Sequence, residues 1–197
     1  MFESRIARAA MLVACLFLAA PALARADAKA DLLAAQQKMM DSRFITEIVS
    51  TSDGDDTRVE GRFDTMKRIH MVTPQAEIIV LPEGTWMKTG DSWMKSPIDM
   101  SNMIKSFMPD VASDLANTIS NVKDEGMQKV GDLSLRAISY DQEMSVMGQT
   151  VKSHNTVYLD GTGRVVRSKS TGTAMGQTTS SVQSIRYDDS IRVQAPK

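Results

Sequence analysis

Two histidines, His70 and His154, are the only imidazoles in this 197-residue chain. Neither has a metal-ligand spacing, and both fall in runs that read as strands with charged or polar neighbours, where a histidine is a surface residue. Asp53, Asp55 and Asp56 form an acidic turn that could touch calcium, but the twelve-residue calcium-loop pattern and its distal glutamate are missing. Gly161-Thr162-Gly163 follows neither the phosphate-loop nor the dinucleotide pattern and does not lead into a helix, so it reads as a hairpin turn. The chain contains no G-x-S-x-G and no H-E-x-x-H. Its one cysteine, Cys15, lies inside an N-terminal apolar run, which leaves the rest without a thiol nucleophile, disulfide or cysteine metal site. No catalytic group, metal site or cofactor is expected, and the reading is of a protein that is not an enzyme.

The pattern that stands out instead is apolar and helical. Within Ser96 to Val122, Met100, Met103, Ile104, Phe107 and Met108 recur at steps of three and four, one face of a helix. Pro109 is placed to end that helix and open a second, along which Val111, Leu115, Ile119 and Val122 repeat the spacing. Asp110 and Asp114 sit where a helix dipole favours negative charge. The pair covers a sheet either as a packed core element or as a lid over a cavity. Methionine is flexible and polarizable, suited to variable apolar partners, and 13 of the 15 methionines lie beyond residue 26.

Thr85-Trp86-Met87-Lys88 and Ser92-Trp93-Met94-Lys95 are near-copies around a Thr89-Gly90-Asp91 turn, the chemistry of a β-hairpin. Each indole shares a face with the lysine two residues on, and each methionine takes the other face. Trp86 and Trp93 are either packing groups or part of a ligand-binding wall.

Arg5 and Arg8, the apolar run Ala9 to Ala24 and the Ala24-Arg25-Ala26 site have the order of a secretory signal peptide over residues 1–26. A lipoprotein-like box ends at Cys15, but the apolar run continues beyond it, and cleavage near Asp27 is the preferred reading. That leaves residues 27–197 as one exported, soluble domain, large enough for a real core. Its charge of about −3 offers no basis for nucleic-acid binding.

The elements that carry these residues are mostly strands. Asp27 to Ser42 reads as an amphipathic helix. Arg43–Thr51, Thr57–Thr65, Ile69–Thr73, Ala76–Leu81 and the tryptophan hairpin follow as strands. Thr57 to Thr65 alternates without a break, the pattern of a sheet with one solvated face. Met147-Gly148-Gln149-Thr150 recurs as Met175-Gly176-Gln177-Thr178, with Asp160-Gly161-Thr162-Gly163 between them. As turns they define strands near 132–146, 151–159, 164–174 and 178–187, and Ser190 to Gln194 adds a short last strand. The expected fold is α+β: a strongly curved antiparallel sheet or incomplete β-barrel, covered by an N-terminal helix and the helical insert.

This order of elements resembles the LolA/LppX-like family, periplasmic or cell-envelope carriers of lipoproteins and lipids. The local likeness is Glu60-Gly61-Arg62-Phe63-Asp64-Thr65-Met66-Lys67-Arg68, similar to the family's glycine-containing strand that ends in Lys-Arg, and the close of the chain from Tyr187-Asp188 to Pro196 is similar too. The resemblance implies a non-enzymatic periplasmic carrier. It would hold lipid or lipoprotein acyl chains among Trp86, Trp93, Met100, Met103, Ile104, Phe107, Met108, Val111 and Leu115. It implies membrane-bound donor and acceptor proteins as partners, and Arg68 as a latch bonded to the helical lid. The alternative is an envelope protein-interaction or sensory module of the same fold. Bound lipid in the purified protein discriminates the two.

Overall fold

The computed structural model describes residues 20–97, 115–146, 149–174 and 176–196. Helix α1 (Ala20–Met40) is followed by strands β1 (Phe44–Ser52), β2 (Asp55–Thr65), β3 (Arg68–Val72), β4 (Glu77–Leu81), β5 (Gly84–Thr89) and β6 (Ser92–Lys95). A helical turn, α2 (Ala116–Thr118), leads into β7 (Ile119–Val130), β8 (Leu133–Val146), β9 (Gln149–Leu159), β10 (Val165–Ala174) and β11 (Gln177–Tyr187). The strands form one antiparallel sheet in the order β6-β5-β4-β3-β2-β1-β11-β10-β9-β8-β7. It is therefore two hairpin-linked meanders sewn together along β1 and β11, where Phe44 faces Tyr187 and Ser52 faces Thr179. The end strands β6 and β7 do not pair with each other, so the sheet is open.

Alternation along each strand sorts side chains onto two faces. On the inner face Phe44, Phe63, Ile69, Ile138, Val157, Val165 and Ile185 meet Leu32 and Ala35 of α1. Helix α1 is built from good helix formers, and its fully buried Ala28, Leu32 and Ala35 recur at steps of four and three. The two alanines let the helix backbone lie close to the sheet. Polar ties at its rim fix its direction: Lys29 donates to the Ala116 carbonyl at 2.9 Å, Lys38 to the Thr162 carbonyl at 3.0 Å, and Arg136 pairs with Asp31 at 2.7 Å. The helix ends where Ser42 Oγ donates back to the Lys38 carbonyl.

On the outer face Ile79, Leu81, Ile191 and Val193 form a second cluster, with Ile45, Trp86 and Trp93 against it. Ser190 to Gln194 is thus not the short strand its sequence suggests. Asp188 accepts from both the amide and the hydroxyl of Ser190, closing a turn. The chain then crosses the outer face as an extended tail, held by Val193 N donating to Asp64 at 3.4 Å and by Arg68 donating to the Val193 carbonyl at 3.3 Å. A side chain and a backbone pair do here what a ladder does in a sheet.

The second helix expected across Val111 to Val122 is also corrected at its C-terminal end. The chain turns extended at Ile119 (φ −97°, ψ 141°), and Ile119 and Val122 belong to β7. Register shifts between Ser120 and Lys123 and between Asp124 and Gly126 mark β-bulges in that strand. Asn121 there has φ +53° and its amide donates to Asp141 at 2.8 Å. Bulges bend and twist the strand that carries them. Among the described residues, no helix is long and apolar enough to cross a membrane.

Candidate functional site

Between α1 and the inner face lies a cavity of about 220 Å³. Gln36 and Met39 reach it from the helix, Ile48 from β1, Tyr140 from β8, Asn155 and Val157 from β9, Val165, Ser168 and Ser170 from β10, and Ser181 and Gln183 from β11. Its apolar side is Met39, Ile48, Val157 and Val165. Deeper along the strands the face is closed by the Phe44–Phe63 stack, with ring centroids 4.5 Å apart and planes 12° apart, and by Tyr187 edge-on to Phe44 at 6.3 Å. Tyr187 donates to the Val165 carbonyl at 2.8 Å, which fixes that end.

The polar side contains one satisfied chain of hydrogen bonds. Ser168 donates to Gln183 Oε1 at 3.1 Å, Gln183 Nε2 to Thr46 Oγ1 at 2.9 Å, and Thr46 to the Ser184 carbonyl at 3.2 Å. Buried polar atoms need such partners, and this chain gives the wall a fixed shape. Burial pushes the Tyr140 phenol up to about 12, so it stays a neutral donor across the working range of pH. Among the described residues, the lining contains no carboxylate, imidazole or amine. It can supply dispersion contacts and uncharged hydrogen bonds.

The residues singled out from the sequence fall in three places. Met100, Met103, Ile104, Phe107, Met108 and Val111 lie outside the described residues. Leu115 is buried beside Ile119 in the inner core. Trp86 and Trp93 are on the outer face, so they do not line the cavity under α1; they pack on the tail cluster, with Lys95 5.3 Å above Trp86 and Lys88 6.0 Å above Trp93. Their sequence neighbours Met87 and Met94 face the other way. In register with Met71 and Ile78 they continue an apolar row on the inner face, and Met94 is 56% exposed. The alternation of the tryptophan hairpin was the signal for that row.

Arg68 has its described partners on the outer face as well: the Val193 carbonyl and, at 3.6 Å, Glu83 in the β4–β5 turn. The lid it was expected to hold lies outside the described residues. His70 bonds Glu77 at 2.9 Å, and Glu77 also takes Lys88. His154 bonds Asp141 at 2.7 Å on the outer surface. In the acidic turn Asp56 accepts from Thr51 and Asp53 from Gln177. Asp160 accepts from the amides of Thr162 and Arg164, and Gly163 takes φ +74°, which makes the Gly161-Thr162-Gly163 segment a hairpin turn. Among the described residues, no three of His, Cys, Asp and Glu are grouped so as to hold a metal ion.

No protein-family model and no curated protein matches the sequence. Solved structures do match the fold. The lipoprotein LppX of Mycobacterium tuberculosis superposes with a TM-score of 0.58 at 13% identity, over 86% of this chain and 99% of that one. The MucA/MucB complex of Pseudomonas aeruginosa gives 0.49 at 13% identity, over 86% of this chain and 59% of that one. A LolA-superfamily protein of Nitrosomonas europaea gives 0.36 at 9% identity, over 82% and 94%. At these identities the likeness is one of fold, and LppX carries it: the architecture is LolA/LppX-like.

Proposed function

We propose that this chain uses its LolA/LppX-like fold as a non-enzymatic carrier in the cell envelope, holding acyl chains of lipids or lipoproteins between α1 and the inner sheet face. The supporting observation is the cavity of about 220 Å³ at that place, walled by Met39, Ile48, Val157 and Val165. Removing apolar ligand surface from water there contributes roughly 25 cal/mol per Å² before ordering costs. Met100, Met103, Ile104, Phe107, Met108 and Val111 are proposed as the second wall, folded over the open side of the same face. Residues 1–26 are proposed as the export leader, with the carrier working between membrane-bound donor and acceptor proteins. Native mass spectrometry of the purified protein, followed by organic extraction, tests the reading. Lipid released in stoichiometric amount is the expected result. A protein that is lipid-free and takes up no lipid probe removes the carrier reading and leaves the protein-interaction module.

A further inference from the structure

The β-bulge in β10 sets two neighbouring residues against one. Val165 faces Leu159 and Arg167 faces Tyr158, so Val166 and Arg167 stand together opposite Tyr158. A bulge of this kind re-aims the side chains it carries. Val165 stays in the inner core, while Val166 packs with Leu135, Ala137 and Tyr158 in a separate cluster on the outer face. Arg167 shares that face, with Lys169 two residues on and the exposed Ser184 directly across on β11. The Lys169 ammonium stands 5.8 Å from the centre of the Tyr158 ring. Two cations therefore flank one buried tyrosine.

Arg167 lacks the partner its chemistry calls for. Its Nε is buried without a hydrogen-bond partner, and among the described residues its guanidinium makes no ion pair or hydrogen bond. Lys169 makes no ion pair among them either. A guanidinium stays charged at any pH a protein meets, and a half-buried charge without an acceptor is costly. The carboxylates that border this stretch are already engaged. Glu47, beyond Ser184 on β1, holds Arg58 at 2.5 Å. Asp160 accepts from the amides of Thr162 and Arg164, and Asp188 accepts from Ser190. A free oxyanion would supply the missing acceptor. A planar fork of donors beside an ammonium and a hydroxyl suits a tetrahedral anion with several oxygens. The second cation favours an anion of two charges, phosphate or a phosphate monoester, over a carboxylate.

We propose that Arg167, Lys169 and Ser184 form a phosphate site on the outer face, across β10 from the cavity. The guanidinium holds two oxygens, the Lys169 ammonium offsets the second charge, and the Ser184 hydroxyl donates to a third oxygen. The site is independent of the carrier reading. Free orthophosphate and the head group of phosphatidic acid carry the same chemistry, and the test separates these sources. Labelled with ¹⁵N, the protein is titrated with sodium phosphate at pH 7.5 and constant ionic strength while the Arg167 Nε–H signal is followed. Burial of Nε slows exchange of that hydrogen, and loss of the signal in Arg167→Gln assigns it. A saturable shift of this signal and of the Lys169 and Ser184 amides is expected, with none in sodium acetate. Lys169→Ala should weaken phosphate about 10-fold or more, the worth of one hydrogen bond to a charged group. Flotation with phosphatidylcholine vesicles containing phosphatidic acid is run beside it on wild type and both variants. Flotation that the substitutions abolish assigns the site to the lipid head group. Saturable binding of orthophosphate without such flotation assigns it to the free anion. Should Arg167→Gln lower the melting temperature, Lys169→Ala decides alone. Absence of both kinds of binding, or binding that neither substitution changes, overturns the site.

Discussion

Phe63 lays its ring over Gly61, two residues back on the same strand face, so closely that a β-carbon on Gly61 would stand 2.7 Å from Phe63 Cε2 and 3.1 Å from Thr46 Cγ2. The ring cannot give way freely, because Phe44 stacks on its other side. This explains the glycine in the Glu60-Gly61-Arg62-Phe63 run without any special backbone angle. Gly61→Val should destabilise by about 1–3 kcal/mol through overpacking, although valine favours strands. In a Phe63→Ala background the same change should be close to neutral. Urea denaturation of the four-member cycle measures the coupling; simple additivity would show that the two residues do not compete for space.

Asp64 makes the attachment of the tail sensitive to acid. The Arg43 side chain, bonded to it at 2.7 Å, and the Val193 amide hold its carboxyl below the usual range. A carboxyl with a depressed folded pKa contributes stability that is complete above the ordinary aspartate value of about 3.9 and lost as pH falls through the folded value. Protection of the Val193 amide from hydrogen exchange should therefore be constant from pH 7 to 5 and fall in more acid solution. Asp64→Asn should flatten that profile. Arg43 is more than a third exposed, so solvent screening keeps its part of the effect near 1 kcal/mol or less.

The tail also shields the two indoles. Ile191 and Val193 are buried against Ile79 and Leu81, beside Trp86 and Trp93. Truncation after Ser190 should cost about 2–4 kcal/mol, the burial of two aliphatic side chains less the entropy the freed segment regains. It should also shift tryptophan emission to the red. Arg68→Leu should move emission the same way by a smaller amount. If Arg68 instead serves as a latch on the insert, the substitution changes the rate of lipid-probe transfer in stopped-flow measurements and leaves emission unaltered.

Met103 tests the insert. Met103→Asp places a charge in the wall proposed to close the cavity and should lower lipid-probe affinity at least tenfold, or lower the melting temperature, since an unpaired charge in a dry site is costly. Unchanged affinity together with an unchanged melting temperature would put Met103 in water and exclude the insert from the site.

Much of the sheet was legible because alternation and turn chemistry agree. The tryptophan hairpin closes on Gly90, which takes φ +60°, between the facing pair Thr89 and Ser92. The β9–β10 hairpin closes on Asp160 to Gly163. The start of β7 was hidden by its bulges. Where two residues on one strand oppose one on the next, the period of two breaks, and Ile119 and Val122, three apart, both join the inner core. Three is also a helical step, so the spacing imitated a helix. The polar side of the cavity has no sequence signal of its own: Ser170 and Ser181 sit in strands rich in serine and threonine, and alternation alone does not show that they line a cavity with Gln36 and Met39 of α1. Nor does alternation say which face a helix will cover, so the sequence leaves Trp86 and Trp93 open between packing groups and a ligand wall; in the structure they pack on the tail at the outer face.

The seam between β1 and β11 sets the timing of assembly. β1 leaves the ribosome roughly 140 residues ahead of its partner β11, so Phe44 waits for Tyr187 while all that lies between them is made. At 5–20 residues per second that is roughly 7 to 30 s during which one edge of the first meander stays unpaired. The second meander is joined by short hairpins and needs no such delay. A chain interrupted before residue 177 could fold most of its local structure and still present β1 as an open, sticky edge. Nascent-chain crosslinking with stalled chains of increasing length should find that edge protected only once β11 has emerged.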